Sequence, residues 1–93
     1  MLYRIEFSKP AVRQFEKLSK SVQIRLKSRI DALAHDPRPQ GVKKLVGEDE
    51  LYRLRVGDYR IIYQIQDKVL LVVVVRMGNR KQVYRQGEIV ETP

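Results

Sequence analysis

Three arginines, Arg53, Arg55 and Arg60, straddle the dipeptide Gly57-Asp58 in the run from Leu51 to Ile65. Guanidinium groups donate paired hydrogen bonds to phosphate oxygens and stay charged at every pH a protein meets. A Gly-X pair between two strand-like runs closes a two-residue hairpin turn. With that turn as the loop, Val56 faces Tyr59, Arg55 faces Arg60, Leu54 faces Ile61 and Arg53 faces Ile62. Strand side chains alternate between faces, so the three arginines share one face while Leu54, Val56, Tyr59 and Ile61 take the other. Like charges opposite one another destabilise a ladder. A patch of three is therefore expected to serve an anion, above all a phosphate.

Further cations follow in Arg76, Arg80, Lys81 and Arg85, with Tyr84 among them. Arg76, Lys81 and Arg85 are expected as phosphate or RNA contacts. The Tyr84 ring can stack on an unpaired base, worth about 1–3 kcal/mol. Its hydroxyl, acidified by cations, can move a proton; equally, Tyr84 can be a core residue anchoring the C-terminus. Arginine itself is a poor general base, because its pKa exceeds about 12. Other catalytic kits are missing from the sequence: no Gly-rich phosphate loop, no histidine pair for a metal, no paired carboxylates in one motif. With no cysteine, a thiol nucleophile is excluded. The single histidine, His35, is expected as a solvent-facing residue at a helix end. Neither cofactor nor metal is expected.

The 93 residues suit one small domain spanning 1–93. Hydrophobic residues at 43% and charged residues at 32% fit a folded unit, and the net charge of +8 favours polyanionic partners, nucleic acid or an acidic protein segment. The N-terminus alternates like a strand rather than a signal peptide. The longest apolar stretch, Val69 to Val75, is far short of a membrane span. A soluble, cytoplasmic protein without membrane contact is expected.

The elements that must position these residues are legible from periodicity. Residues 2–7 alternate as a strand. Ser8 can cap a helix from Lys9, with Pro10 tolerated in its first turn and Ala11, Val12, Phe15 and Leu18 as its apolar stripe. Ser19 or Ser21 starts a second helix with the stripe Val22, Leu26, Ile30 and Leu33, ending near Asp36 because Pro37 follows. Ile24 falls off that stripe. Residues 36–41 read as a loop and residues 42–50 as a lead into the hairpin. A turn near Gln66–Lys68 precedes a strand over Val69–Val75, continuously apolar as in the middle of a sheet. Arg76 is expected to end it, residues 77–85 to form a turn plus one helical turn or an irregular loop, and the tail carries no strong signal. The predicted class is α+β: an N-terminal strand, a two-helix hairpin, then a three-stranded antiparallel meander. The helices pack on one face of a mostly antiparallel four-stranded sheet.

Three segments together resemble the RelE/ParE superfamily of bacterial toxins: Leu45-Val-Gly47, Leu51 to Tyr63 with its Gly-Asp-Tyr-Arg turn, and Val75 to Tyr84. The ending Gly-x-Arg-x-x-Val-Tyr resembles the RelE-type branch more narrowly. The resemblance implies a RelE-like fold and a ribosome-dependent mRNA endonuclease, with no metal requirement. The 2′-hydroxyl of a nucleotide in the ribosomal A site would attack the adjacent phosphate and leave a 2′,3′-cyclic phosphate. It implies Arg60 and Arg80 as neutralisers of the developing charge, Tyr84 as a stacking or orienting residue, and Arg53 and Arg55 as backbone holders. Where relatives carry lysine or histidine, Arg53, Arg55 and Asn79 stand here. This fits catalysis by electrostatic stabilisation and positioning. Implied partners are a cognate acidic antitoxin of the RelB type, the ribosome with its mRNA, and operator DNA through the antitoxin complex. The same resemblance leaves two alternatives, a ParE-type inhibitor of DNA gyrase and a non-catalytic toxin that only binds antitoxin.

Overall fold

Chain order in the computed structural model runs β1 (Arg4–Phe7), α1 (Lys9–Glu16), α2 (Lys20–Ala32), β2 (Lys43–Val46), β3 (Leu51–Val56), β4 (Tyr59–Gln66), β5 (Leu71–Asn79) and β6 (Val90–Glu91). The structure describes residues 2–46, 51–79 and 90–91. Sheet order is β1-β5-β4-β3-β2-β6, with β1 parallel to β5 and every other pairing antiparallel. The α+β architecture expected from the sequence, two helices on one face of a mostly antiparallel sheet, is the one observed. The sheet is wider than the predicted four strands, because β2 and β6 extend it beyond β3.

Both helices start where capping chemistry permits. Ser8 Oγ accepts the Ala11 N–H at 3.1 Å, and Ser19 Oγ accepts that of Val22 at 3.4 Å. The second helix stops at Ala32, not near Asp36, and residues 33–35 continue as turns ahead of Asp36 and Pro37. His35 is exposed there, as expected. No helix among the described residues is long and apolar enough to cross a membrane.

The two helices cover one sheet face. Ala11, Leu26, Ile30 and Leu33 pack with Leu54, Val56, Ile61, Tyr63, Ile65, Val72, Val74 and Met77, all buried, and Phe15, Leu18 and Val22 close the rim. Val12 is not part of this core and is 42% exposed, so the short α1 buries a narrower stripe than its sequence predicts.

The far end of the sheet is held by a polar clamp. Arg38 donates to both oxygens of Asp67, at 3.1 and 2.8 Å, and its Nε donates to the Tyr52 hydroxyl at 3.2 Å. Tyr3 donates its hydroxyl to Asp67 at 2.6 Å, and the buried Tyr63 donates to the Pro37 carbonyl at 2.6 Å. Hydrogen bonds from Arg38 and Tyr3 hold the Asp67 carboxyl down at about 2, whereas burial pushes the Tyr63 phenol up. The clamp ties β1, the loop after α2, β3 and the turn after β4 to one another.

Candidate functional site

The β3–β4 hairpin has the register that its turn chemistry dictates. Val56 pairs with Tyr59, Arg55 with Arg60, Leu54 with Ile61 and Arg53 with Ile62. Gly57 has φ +60° and Asp58 does not have a positive φ, the pattern of a type II′ turn with glycine first. Paired residues share a face, so Arg53, Arg55 and Arg60 stand together on the face opposite the helices.

Neighbouring strands extend this patch into two rows. One row runs Arg55, Arg60, Gly78; the other runs Lys43, Arg53, Ile62, Arg76. Rows on one face lie two residues apart, about 7 Å along the strand. Gly78, itself buried, puts no side chain of its own beside Arg60. Lys43 was not among the residues expected from sequence. Its row position follows from β2, a strand that Lys43-Lys44 does not announce.

Arg76 reaches this face through an irregularity in β5. Val72 and Val74 point into the helix-side core, so strict alternation would send residue 76 there too. Instead the register shifts: Tyr63 pairs with Val74, but Ile62 pairs with Arg76. Val75 is the extra residue of a β-bulge, after which Met77 faces the core and Arg76 faces the arginines. Helix α1 supports β5 alongside the bulge. Ser8 Oγ donates to the Val75 carbonyl at 2.6 Å, and the Met77 N–H donates to Gln14 Oε1 at 2.7 Å. The expectation that Arg76 ends this strand is therefore corrected: β5 runs through it to Asn79.

The patch is less open than the sequence implies. Arg53 is 5% and Arg60 4% exposed, whereas Arg55 is exposed and Arg76 half-buried. Leu45, Leu51 and Ile62 form a small buried apolar cluster on this same face, with Val75 packed against it. Arg60 Nε has no hydrogen-bond partner among the described residues, and Arg60 forms no ion pair among them. A buried cation without a counter-charge is costly. It also attracts an anion that can enter and bond to it. Arg80, Lys81, Tyr84 and Arg85 lie outside the described residues. Among the described residues no group of three or more His, Cys, Asp or Glu is gathered as a metal site.

This geometry meets known proteins at several points. A family model described as the ParE toxin of the type II toxin-antitoxin system, parDE, matches residues 5–84. The mRNA interferase toxin RelE of Escherichia coli (strain K12) is 31% identical over 91 residues, 94% of this chain and 95% of that protein. The archaeal RelE–RelB complex from Pyrococcus horikoshii aligns with TM-score 0.76 and 33% identity, over 86% of this chain and 97% of the matched one. The intact E. coli RelBE toxin-antitoxin complex gives TM-score 0.75 and 28% identity, over 84% of this chain and 96% of the matched one. With its arginine-faced hairpin, two-helix layer and near full-length matches, the chain belongs to the RelE/ParE superfamily of type II toxin-antitoxin toxins, on its RelE-type branch.

Proposed function

We propose that this toxin is a ribosome-dependent endoribonuclease that cuts mRNA in the A site without a metal ion. The observation that carries the reading is the convergence of Arg53, Arg55, Arg60 and Arg76 on one sheet face, with Arg60 buried and without a counter-charge among the described residues. The name of the E. coli relative, an mRNA interferase, supports the same reaction class.

In this reading the nucleophile comes from the substrate. The 2′-oxygen attacks the adjacent phosphorus, the bond to the 5′-oxygen of the next nucleotide breaks, and a 2′,3′-cyclic phosphate remains. The proton leaves the 2′-hydroxyl and a proton returns to the departing 5′-oxygen. Charge grows on the phosphate oxygens in the transition state, where a preorganised guanidinium is most effective. Arg60 takes that role from the sheet, and Arg80 takes it from the C-terminal segment, near the leaving oxygen. Arg53 and Arg55 hold the backbone of the strand and favour ionisation of the 2′-hydroxyl. Arg76, Lys81 and Arg85 add phosphate contacts. Tyr84 stacks on or orients the reacting nucleotide. None of these groups is an ordinary base at neutral pH, so in-line positioning by the ribosome supplies much of the rate.

Partners follow from the same chemistry. An acidic or amphipathic segment of a RelB-type antitoxin would neutralise the arginine face, and the antitoxin complex would contact operator DNA. The toxin would act in the cytoplasm. The matched family model is described as ParE, so a gyrase-directed reading must be separated by experiment. Induced expression with mapping of mRNA 5′ ends on ribosomes does so. The mRNA reading expects new ends inside ribosome-bound codons for the wild type and their loss for Arg80→Ala. DNA breaks with an SOS response and intact mRNA would favour the gyrase reading instead.

A further inference from the structure

Residues 9–31, which hold both helices, carry seven lysines and arginines against two acids, Glu16 and Asp31. All nine are exposed, and they lie on the side of the sheet away from the arginine site. Most of this charge lies on α1 and the face of α2 turned to solvent. Within it, the middle of α2 meets the β3–β4 turn in a notch of about 430 Å³, lined by Ile24, Arg25, Ser28, Arg29, Val56 and Gly57.

The notch has the chemistry of a phosphate seat. Arg25 and Arg29 stand one helical turn apart, an arrangement in which like charges repel. Arg4, Lys27 and Arg38 each pair with a carboxylate, at 3.1, 3.0 and 2.8 Å. Among the described residues neither Arg25 nor Arg29 has an ion pair or hydrogen bond. Arg25 lies over the turn: a Cβ built on Gly57 would come 2.7 Å from an Arg25 guanidinium nitrogen. Ser28 adds a hydroxyl donor, and Ile24, 62% exposed, offers an apolar wall for a ribose.

We propose that this notch seats a phosphodiester of ribosomal RNA, with Arg25 and Arg29 as its charged walls. The proposal rests on the ribosome-dependent reading above. The occupant follows from charge and position. The notch lies at the hairpin tip that carries Arg55 and Arg60, but on the opposite face of the sheet. A structured RNA gripping the tip from behind leaves the arginine face free to meet mRNA. A single strand already seated at that face would have to wrap around the sheet to reach it.

The test is binding of purified toxin to ribosomes across a salt series, comparing wild type, Arg25→Gln/Arg29→Gln, Arg25→Lys/Arg29→Lys and Lys68→Gln. Lys68 lies at the other end of the hairpin, in the turn after β4. For the Gln pair, affinity should fall at least roughly tenfold, and the slope of log K against log salt should become shallower by about two. The Lys pair should keep the wild-type slope, and Lys68→Gln should change neither quantity. Matching thermal melts establish that the Gln pair is folded. Wild-type binding with an unchanged Gln pair overturns this seat and leaves the ribosome reading standing. An equal loss of affinity for a short single-stranded RNA free in solution would assign the notch to the mRNA strand and overturn the ribosomal assignment. Failure of the wild type to bind ribosomes at all overturns the underlying reading and the seat with it.

Discussion

Arg60 sits where a cation costs the fold free energy: 4% exposed, with Nε unmatched by any described acceptor. Interiors tolerate such groups where function requires them, and an apolar replacement of similar volume is commonly neutral or stabilising. Arg60→Leu should therefore melt at or above the wild-type temperature while losing about 10²–10³-fold in cleavage rate. Calorimetry and single-turnover cleavage on ribosomes measure the two effects separately. A destabilised and inactive Arg60→Leu would mean that the arginine is a structural group and that its loss of activity is indirect. Arg60→Lys is not conservative here, because a point charge cannot bond two phosphate oxygens in one plane.

At the scale of elements, the site depends on a bulge that helix α1 helps to hold. Ser8 does two jobs, capping α1 through Ala11 and donating to the Val75 carbonyl. Ser8→Ala should cost about 1–2 kcal/mol, lowering the melting temperature by about 4–8 °C per kcal/mol. A melt that does not move would show that water replaces both bonds and that the helix is not what braces β5. The hairpin around the arginines was readable residue by residue, because Gly57-Asp58 sets the register and alternation then sets the faces. The bulge was not. In the run Val72 to Val75 every register buries a valine, so nothing in the sequence marks the extra residue. Arg76 was identified as a cation but placed at a strand end rather than on the site's second row. Strand β2 escaped for a related reason: four residues beginning Lys-Lys become a strand through pairing with β3, not through their own preference. Helix starts were legible from Ser8 and Ser19; the end of α2 ran short because turns, rather than helix, fill the last residues before Asp36.

At the scale of the molecule, the clamp and the charge distribution set the response to solution conditions. The Asp67 carboxyl is held at about 2 by Arg38 and Tyr3, below the value of about 3.9 expected in the unfolded chain. A depressed carboxyl contributes stability that is complete above the unfolded value and disappears as pH falls through the folded one. Urea midpoints should thus decline between about pH 4 and pH 2, and Asp67→Asn should show a flatter decline with lower stability at neutral pH. Identical acid profiles for the two proteins would show that the clamp makes no net contribution. Neither Arg38 nor Asp67 was foreseen as a pair, since 29 residues separate them and only the fold brings them together.

The whole account depends on the arginine face acting on RNA that the ribosome holds in line. Cleavage of a defined mRNA by purified toxin, with and without programmed ribosomes, measures this directly, with the chemical end of the upstream fragment read out. Rapid cutting on the ribosome, a 2′,3′-cyclic phosphate on the upstream fragment and very weak cutting of free RNA are the predicted results. Equally fast cleavage of naked RNA, or intact mRNA on toxin-bound ribosomes, would contradict it.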